Sequence, residues 1–104
     1  MHYHLRSGVR VDCFRADVRG LRANLCLEFL EVAGHLAHVR LGVDLPRGAA
    51  ATLDFTTADG DALSLSAPVL SSVPSPAGGF RTVIDLEGLT GPELFVPFVQ
   101  ADRN

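Results

Sequence analysis

The chain has 104 residues, enough for one domain and too few for two, and 47% of them are hydrophobic against 20% charged, as in globular proteins. The net charge of −3 argues against DNA or RNA as a partner, because nucleic-acid binding requires a strongly basic face. No apolar run approaches the length of a membrane span, so we expect no membrane insertion and a cytoplasmic protein.

The first eight residues precede the clear alternating segments and include Gly8. Chain termini of this kind are poorly ordered unless another element holds them. We therefore expect a single domain over residues 1–104 that begins with a flexible arm over residues 1–8.

Alternating apolar and polar residues, which are typical of strands with one buried face, then recur in six segments. The segments cover residues 9–18, 25–29, 36–41, 51–55, 63–69 and 80–86. In the first segment the apolar phase changes after Cys13, which predicts a β-bulge near Cys13 and Phe14. Six or seven short strands separated by turn residues predict a mainly β fold, a barrel or a sandwich.

The carboxyl-terminal part of the chain has a different pattern. Thr90 and Glu93 form a capping box, which predicts a short C-terminal helix, and Pro97 limits that helix to one or two turns. The apolar side of this helix would carry Phe98, together with Leu94, Phe95 and Val99. The predicted core combines this side with the in-phase strand residues and includes Val11, Leu25, Leu27, Leu53, Phe55, Leu65, Ile84 and Phe98.

Recognised catalytic motifs are missing from the sequence. It contains no nucleophile elbow, no phosphate-binding glycine loop and no H-E-x-x-H zinc motif, so we expect no enzymatic activity and no cofactor. The four histidines, His2, His4, His35 and His38, lack the spacing of a metal-ligand set, and we predict no metal site. A small metal-binding or enzymatic barrel that uses these histidines is the distant alternative. Two cysteines are too few for a disulfide framework, and we expect two buried thiols on neighbouring strands.

Basic residues are concentrated near the amino terminus. All nine are arginine, and five of them lie in the first 22 residues, where only two acids oppose them. The rest of the chain carries four arginines against ten acids. Arg6 and Arg10 are spaced as R-x-x-x-R, and guanidinium groups bind phosphate oxygens and stack on planar bases. With Arg15, these two arginines could instead pair with an acidic protein surface.

The R-x-x-x-R pair leads directly into the first strand, and Gly34 follows a strand about twenty residues later. Further strands around residues 44–55 and 80–89 and an apolar tail complete this order, which resembles the PilZ domain family over nearly the whole chain. PilZ domains are six-stranded antiparallel β-barrels, usually with a C-terminal helix, that act as cyclic di-GMP receptors in bacteria. The resemblance implies that Arg6 and Arg10 would hold the phosphates and guanines of this ligand, with Gly34 supplying backbone contacts.

The second PilZ motif, D/N-x-S-x-x-G, falls on residues 29–34, and only its glycine, Gly34, is present. Phe29 replaces the residue that reads guanine, and Glu31 replaces the serine with a negative charge. We therefore expect a non-catalytic PilZ-like regulatory adaptor that has weak or lost cyclic di-GMP binding and acts through a protein partner. Control of motility, surface appendages or polysaccharide export is what the resemblance implies. The alternative is a functional cyclic di-GMP receptor that uses Arg6 and Arg10.

Overall fold

The protein is represented by a computed structural model, which describes residues 2–16, 23–87 and 97–101. These residues form eight strands: β1 (His2–Leu5), β2 (Arg10–Arg15), β3 (Cys26–Ala33), β4 (Leu36–Leu41), β5 (Ala50–Thr56), β6 (Ala62–Pro74), β7 (Phe80–Asp85) and β8 (Val99–Ala101). All paired strands are antiparallel, in the order β2-β5-β6-β7-β4-β3-β1-β8. The sheet is curled into a half-barrel. The described residues contain no helix that is long and apolar enough to cross a membrane.

The mainly β prediction is confirmed, but the number of strands differs. The six predicted segments correspond to β2–β7, and the structure adds β1 and β8. Residues 1–8 were expected to form a flexible arm, whereas His2–Leu5 pairs with β3 on one side and with β8 on the other. This segment is held because Tyr3 and Leu5 alternate with two histidines and pack against the core.

The predicted C-terminal helix was to begin at Thr90, which lies outside the described residues. The part of that segment that the structure describes is a turn followed by β8, and no helix occurs in residues 2–16, 23–87 or 97–101. Val99 pairs with Leu5 of β1, so the backbone of residues 99–101 forms a sheet ladder instead of helical hydrogen bonds. Phe98 and Val99 are both buried, as an apolar tail requires.

Most of the predicted core is confirmed. Five of the eight residues are buried, namely Val11, Leu53, Phe55, Ile84 and Phe98. Leu25 and Leu65 are partly buried against this core. The prediction for Leu27 is wrong, since it is 54% exposed. The register shifts between Cys26 and Glu28, so Leu27 is the extra residue of a bulge and leaves the inward phase.

The bulge predicted near Cys13 is also wrong. Strand β2 pairs with β5 without a shift from Arg10, opposite Thr56, to Arg15, opposite Ala51. The shifts lie in β3 and in β6 instead. The change of apolar phase after Cys13 therefore reflects side chains on the two faces of a regular strand.

Asn24 connects the edge strand β2 to the start of β3. Its side-chain oxygen accepts hydrogen bonds from the backbone amides of Cys13, at 2.8 Å, and Cys26, at 3.0 Å. The backbone amide of Leu25 donates to the carbonyl oxygen of Cys13 at 2.8 Å. These bonds partly close the curled sheet at the edge that would otherwise present unpaired backbone groups.

Candidate functional site

Arg6 and Arg10 flank the short turn between β1 and β2. The backbone amide of Val9 donates to the carbonyl oxygen of Arg6 at 3.2 Å, and the amide of Arg6 donates to that of Phe98 at 2.9 Å. Gly8 has a φ of +82°, a conformation that side chains other than glycine rarely adopt. The turn therefore has a defined shape, and it holds the two arginines at the same end of β2.

The Arg10 side chain is 74% exposed and its Nε donates to Asp12 Oδ1 at 2.9 Å. The same oxygen accepts a hydrogen bond from Asn24 Nδ2, also at 2.9 Å. An exposed ion pair of this kind contributes only about 0–1 kcal/mol, so Arg10 can exchange Asp12 for another anion at little cost. Arg6 is exposed as well.

Arg15 was predicted to act with Arg6 and Arg10 on a partner. It lies at the other end of β2, five residues beyond Arg10. Because successive side chains in a strand alternate, the two arginines lie on opposite faces, roughly 17 Å apart along the strand. The structure therefore groups Arg6 with Arg10 and does not bring Arg15 to them.

The structure places Phe29 and Glu31, the two replaced positions of the second PilZ-like motif, in different surroundings. The Phe29 ring packs edge-on against that of Phe55, with ring centroids 5.5 Å apart and planes at 72°. Glu31 lies opposite His38 of β4, and its Oε2 is 2.9 Å from His2 Nδ1. The hydrogen bond with His2 lowers the pKa of Glu31, and nearby histidine charges add to this effect, so the carboxylate remains ionised.

Gly34 forms part of the turn between β3 and β4 with a φ of +60°, and no described heavy atom would lie within 4 Å of an added Cβ. His2 pairs with Ala33, next to Gly34, while Arg6 follows the opposite end of β1. Four residues of extended chain, roughly 13 Å, therefore separate the glycine from the arginine along β1. The residues expected to hold cyclic di-GMP are divided between two ends of the sheet.

The histidines occupy two separate regions. His2 and His4 share one face of β1, and His38 lies across β3 from them, with Nδ1 at 3.3 Å from Arg81 Nη2. Burial and the Arg81 charge lower the pKa of His38. His35 lies in the turn between β3 and β4, where its Nε2 is 3.8 Å from Asp85 Oδ1.

His35, Asp85 and Glu87 are a set that sequence reasoning missed. One ligand atom from each of these side chains lies within 4.8 Å of the others. About fifty residues separate the histidine from the two acids, and only the pairing of β4 with β7 brings them together. No spacing rule for metal motifs could have found this set.

The cysteines lie in neighbouring positions, Cys13 buried in β2 and Cys26 partly buried in β3. Burial raises the pKa of Cys13 to about 12 and that of Cys26 to about 11. The thiolate is the form that attacks electrophiles and binds metals, so both thiols are poorly reactive at neutral pH.

No family model matches this chain, and searches of curated proteins and of solved structures found no similar protein.

Proposed function

We propose that this chain is a non-catalytic PilZ-like regulatory adaptor in cyclic di-GMP-linked signalling of the bacterial cytoplasm, with weak or lost nucleotide binding. It acts through protein contacts, in the control of motility, surface appendages or polysaccharide export. The observation that carries the proposal is that both replaced residues of the second motif contact other residues of the domain. Phe29 packs in the core against Phe55, and Glu31 is hydrogen-bonded to His2.

The Phe29 side chain is unable to read guanine. A phenyl ring offers no acceptor for the donors of the base, and each unpaired donor in a desolvated site costs about 1–3 kcal/mol. That is roughly 5- to 150-fold in affinity for each lost hydrogen bond. The ionised Glu31 adds a negative charge, which disfavours a dianionic ligand nearby.

Arg6 and Arg10 retain a function in this proposal. They flank one turn and are both exposed, on a chain whose net charge is −3. Such a pair attracts an acidic protein surface, increases the rate of encounter and fixes orientation more than it adds affinity. The expected partner is therefore a protein with an acidic patch.

Calorimetric titration with cyclic di-GMP at physiological salt tests the nucleotide part of the proposal. We expect no dissociation constant below the micromolar range. Any weaker binding should be a salt-sensitive electrostatic attraction. Submicromolar affinity would instead support the receptor alternative. In that case Arg6→Ala and Arg10→Ala should each abolish tight binding, while the exposed Arg47→Ala should not.

Charge reversal tests the adaptor part. Replacing Arg6 and Arg10 with Glu should leave the melting temperature nearly unchanged, since the Arg10 ion pair is exposed, but should sharply reduce partner capture from source cells. Arg47→Glu, another exposed arginine, is the control and should capture normally. A double variant that melts at a much lower temperature and still captures its partner would show that the arginines are structural.

A further inference from the structure

One imidazole and two carboxylates meet where the turn between β3 and β4 lies beside the end of β7. Ligand atoms of His35, Asp85 and Glu87 all lie within 4.8 Å of one another. His35 Nε2 and Asp85 Oδ1 are 3.8 Å apart, too far for a hydrogen bond. Two atoms bound to one ion at about 2.0–2.2 Å lie roughly 3–4.3 Å apart, a range that includes the 3.8 Å between these two atoms. We propose that these three side chains bind a zinc ion.

The backbone holds the three residues beside one another before any ion arrives. The amide of Leu86 donates to the carbonyl oxygen of His35 at 2.7 Å, and Leu36 pairs with Asp85. Leu86 itself is buried, so the residue between the two acids is anchored in the core. Only the side chains then have to become ordered when an ion binds, which lowers the entropy cost of binding.

A second contact orients one of the carboxylates. The backbone amide of Glu87 donates to Asp85 Oδ1 at 2.9 Å. Hydrogen bonds of this kind hold a metal-binding carboxylate in one orientation and are a regular part of metal sites. Asp85 Oδ1 keeps a second lone pair for an ion beside His35, and the Glu87 carboxylate can turn towards the same ion.

The ligand chemistry favours zinc over magnesium and calcium. Magnesium and calcium take oxygen ligands, whereas an imidazole with two carboxylates suits zinc, which binds nitrogen and oxygen at similar distances. The two carboxylates also balance the charge of a divalent cation. The His35 side chain is 58% exposed and that of Asp85 21%, so the ion can enter from solvent and keep a position for water.

Zinc titration against a chromophoric chelator tests the site, and it does so independently of the adaptor role. His2 and His4 are exposed on β1 and could bind zinc weakly, so the parent chain carries His2→Gln and His4→Gln. We expect one zinc ion per parent chain. His35→Gln, Asp85→Asn and Glu87→Gln should each lower the affinity at least tenfold.

Matched controls change a histidine or a carboxylate outside the site. His38→Gln and Glu28→Gln should change zinc affinity less than twofold, and circular dichroism should show every variant folded. Amide resonances of residues 34–36 and 85–87 should shift on zinc addition. Zinc binding that is no tighter in the parent chain than in the His35→Gln variant would overturn the proposal. So would tight binding that survives both Asp85→Asn and Glu87→Gln.

Discussion

The hairpin between β6 and β7 ends in two glycines, Gly78 and Gly79, that differ in what surrounds them. Both have positive φ, +97° and +68° respectively. A Cβ on Gly79 would collide with the carbonyl oxygen of Leu41 and lie 2.9 Å from Leu27 Cδ1. A Cβ on Gly78 would have no described heavy atom within 4 Å. Gly79→Ala and Gly78→Ala therefore separate the effect of packing from that of backbone conformation.

Both alanine variants adopt a left-handed conformation, at a cost of about 1–2 kcal/mol each. Gly79→Ala adds a clash with the backbone of β4, a strand inside the sheet, and overpacking of this kind costs about 1–3 kcal/mol more. We expect Gly79→Ala to lower the free energy of unfolding by about 2–5 kcal/mol in total. Gly78→Ala should lower it only by the cost of the left-handed conformation, about 1–2 kcal/mol. The φ of Gly79 is the closer of the two to the ordinary left-handed region, so backbone strain alone would make it the milder change.

Urea unfolding followed by circular dichroism measures both variants under the same conditions. The hydrogen bond from the Ser75 amide to the Gly79 carbonyl, at 2.9 Å, provides a second readout through hydrogen exchange. The Ser75 amide proton should exchange faster in Gly79→Ala than in Gly78→Ala. Equal destabilisation by the two variants would show that the contact between Gly79 and Leu41 does not restrict the hairpin.

Two further predictions concern the core and the outer face of the sheet. Leu53→Ala should lower the free energy of unfolding by about 2–5 kcal/mol because Leu53 is fully buried. The exposed Leu27→Ala should change it by less than about 0.5 kcal/mol. Equal losses in urea unfolding would contradict this assignment. Because the pKa of His38 is lower in the folded state, the unfolded chain takes up its proton first, and stability falls as the pH drops below about 6.5. His38→Gln should make melting temperatures at pH 7.5 and 5.5 more alike, and an unchanged difference would exclude His38 as the source.

The sequence predicted the long strands because each has one buried face and therefore an alternating pattern. β1 and β8 were not predicted, since they have 4 and 3 residues, too few for alternation to be distinguished from chance. Their stability comes from pairing with each other and with β3, which is information that a local pattern does not contain.

Predictions about the site were limited in the same way, because a local sequence pattern does not show which strands pair. The pair Arg6 and Arg10 could be predicted because both residues belong to one local turn. The contact of His2 with Glu31 and the grouping of His35 with Asp85 depend on strand register. Register is determined by the whole sheet, so residues that are distant in sequence become neighbours without any signal in their spacing.

One of the bulges of β3 bears on the proposed loss of nucleotide binding. In a regular strand, residues 29 and 31 would share a face, because side chains repeat with a period of two. Phe29 instead lies opposite the buried Val39, and Glu31 lies opposite His38, with Leu30 as the extra residue between them. The two motif positions therefore lie on opposite faces of the sheet. Substitutions that restored the motif residues would therefore leave them on opposite faces of the sheet unless Leu30 were also removed.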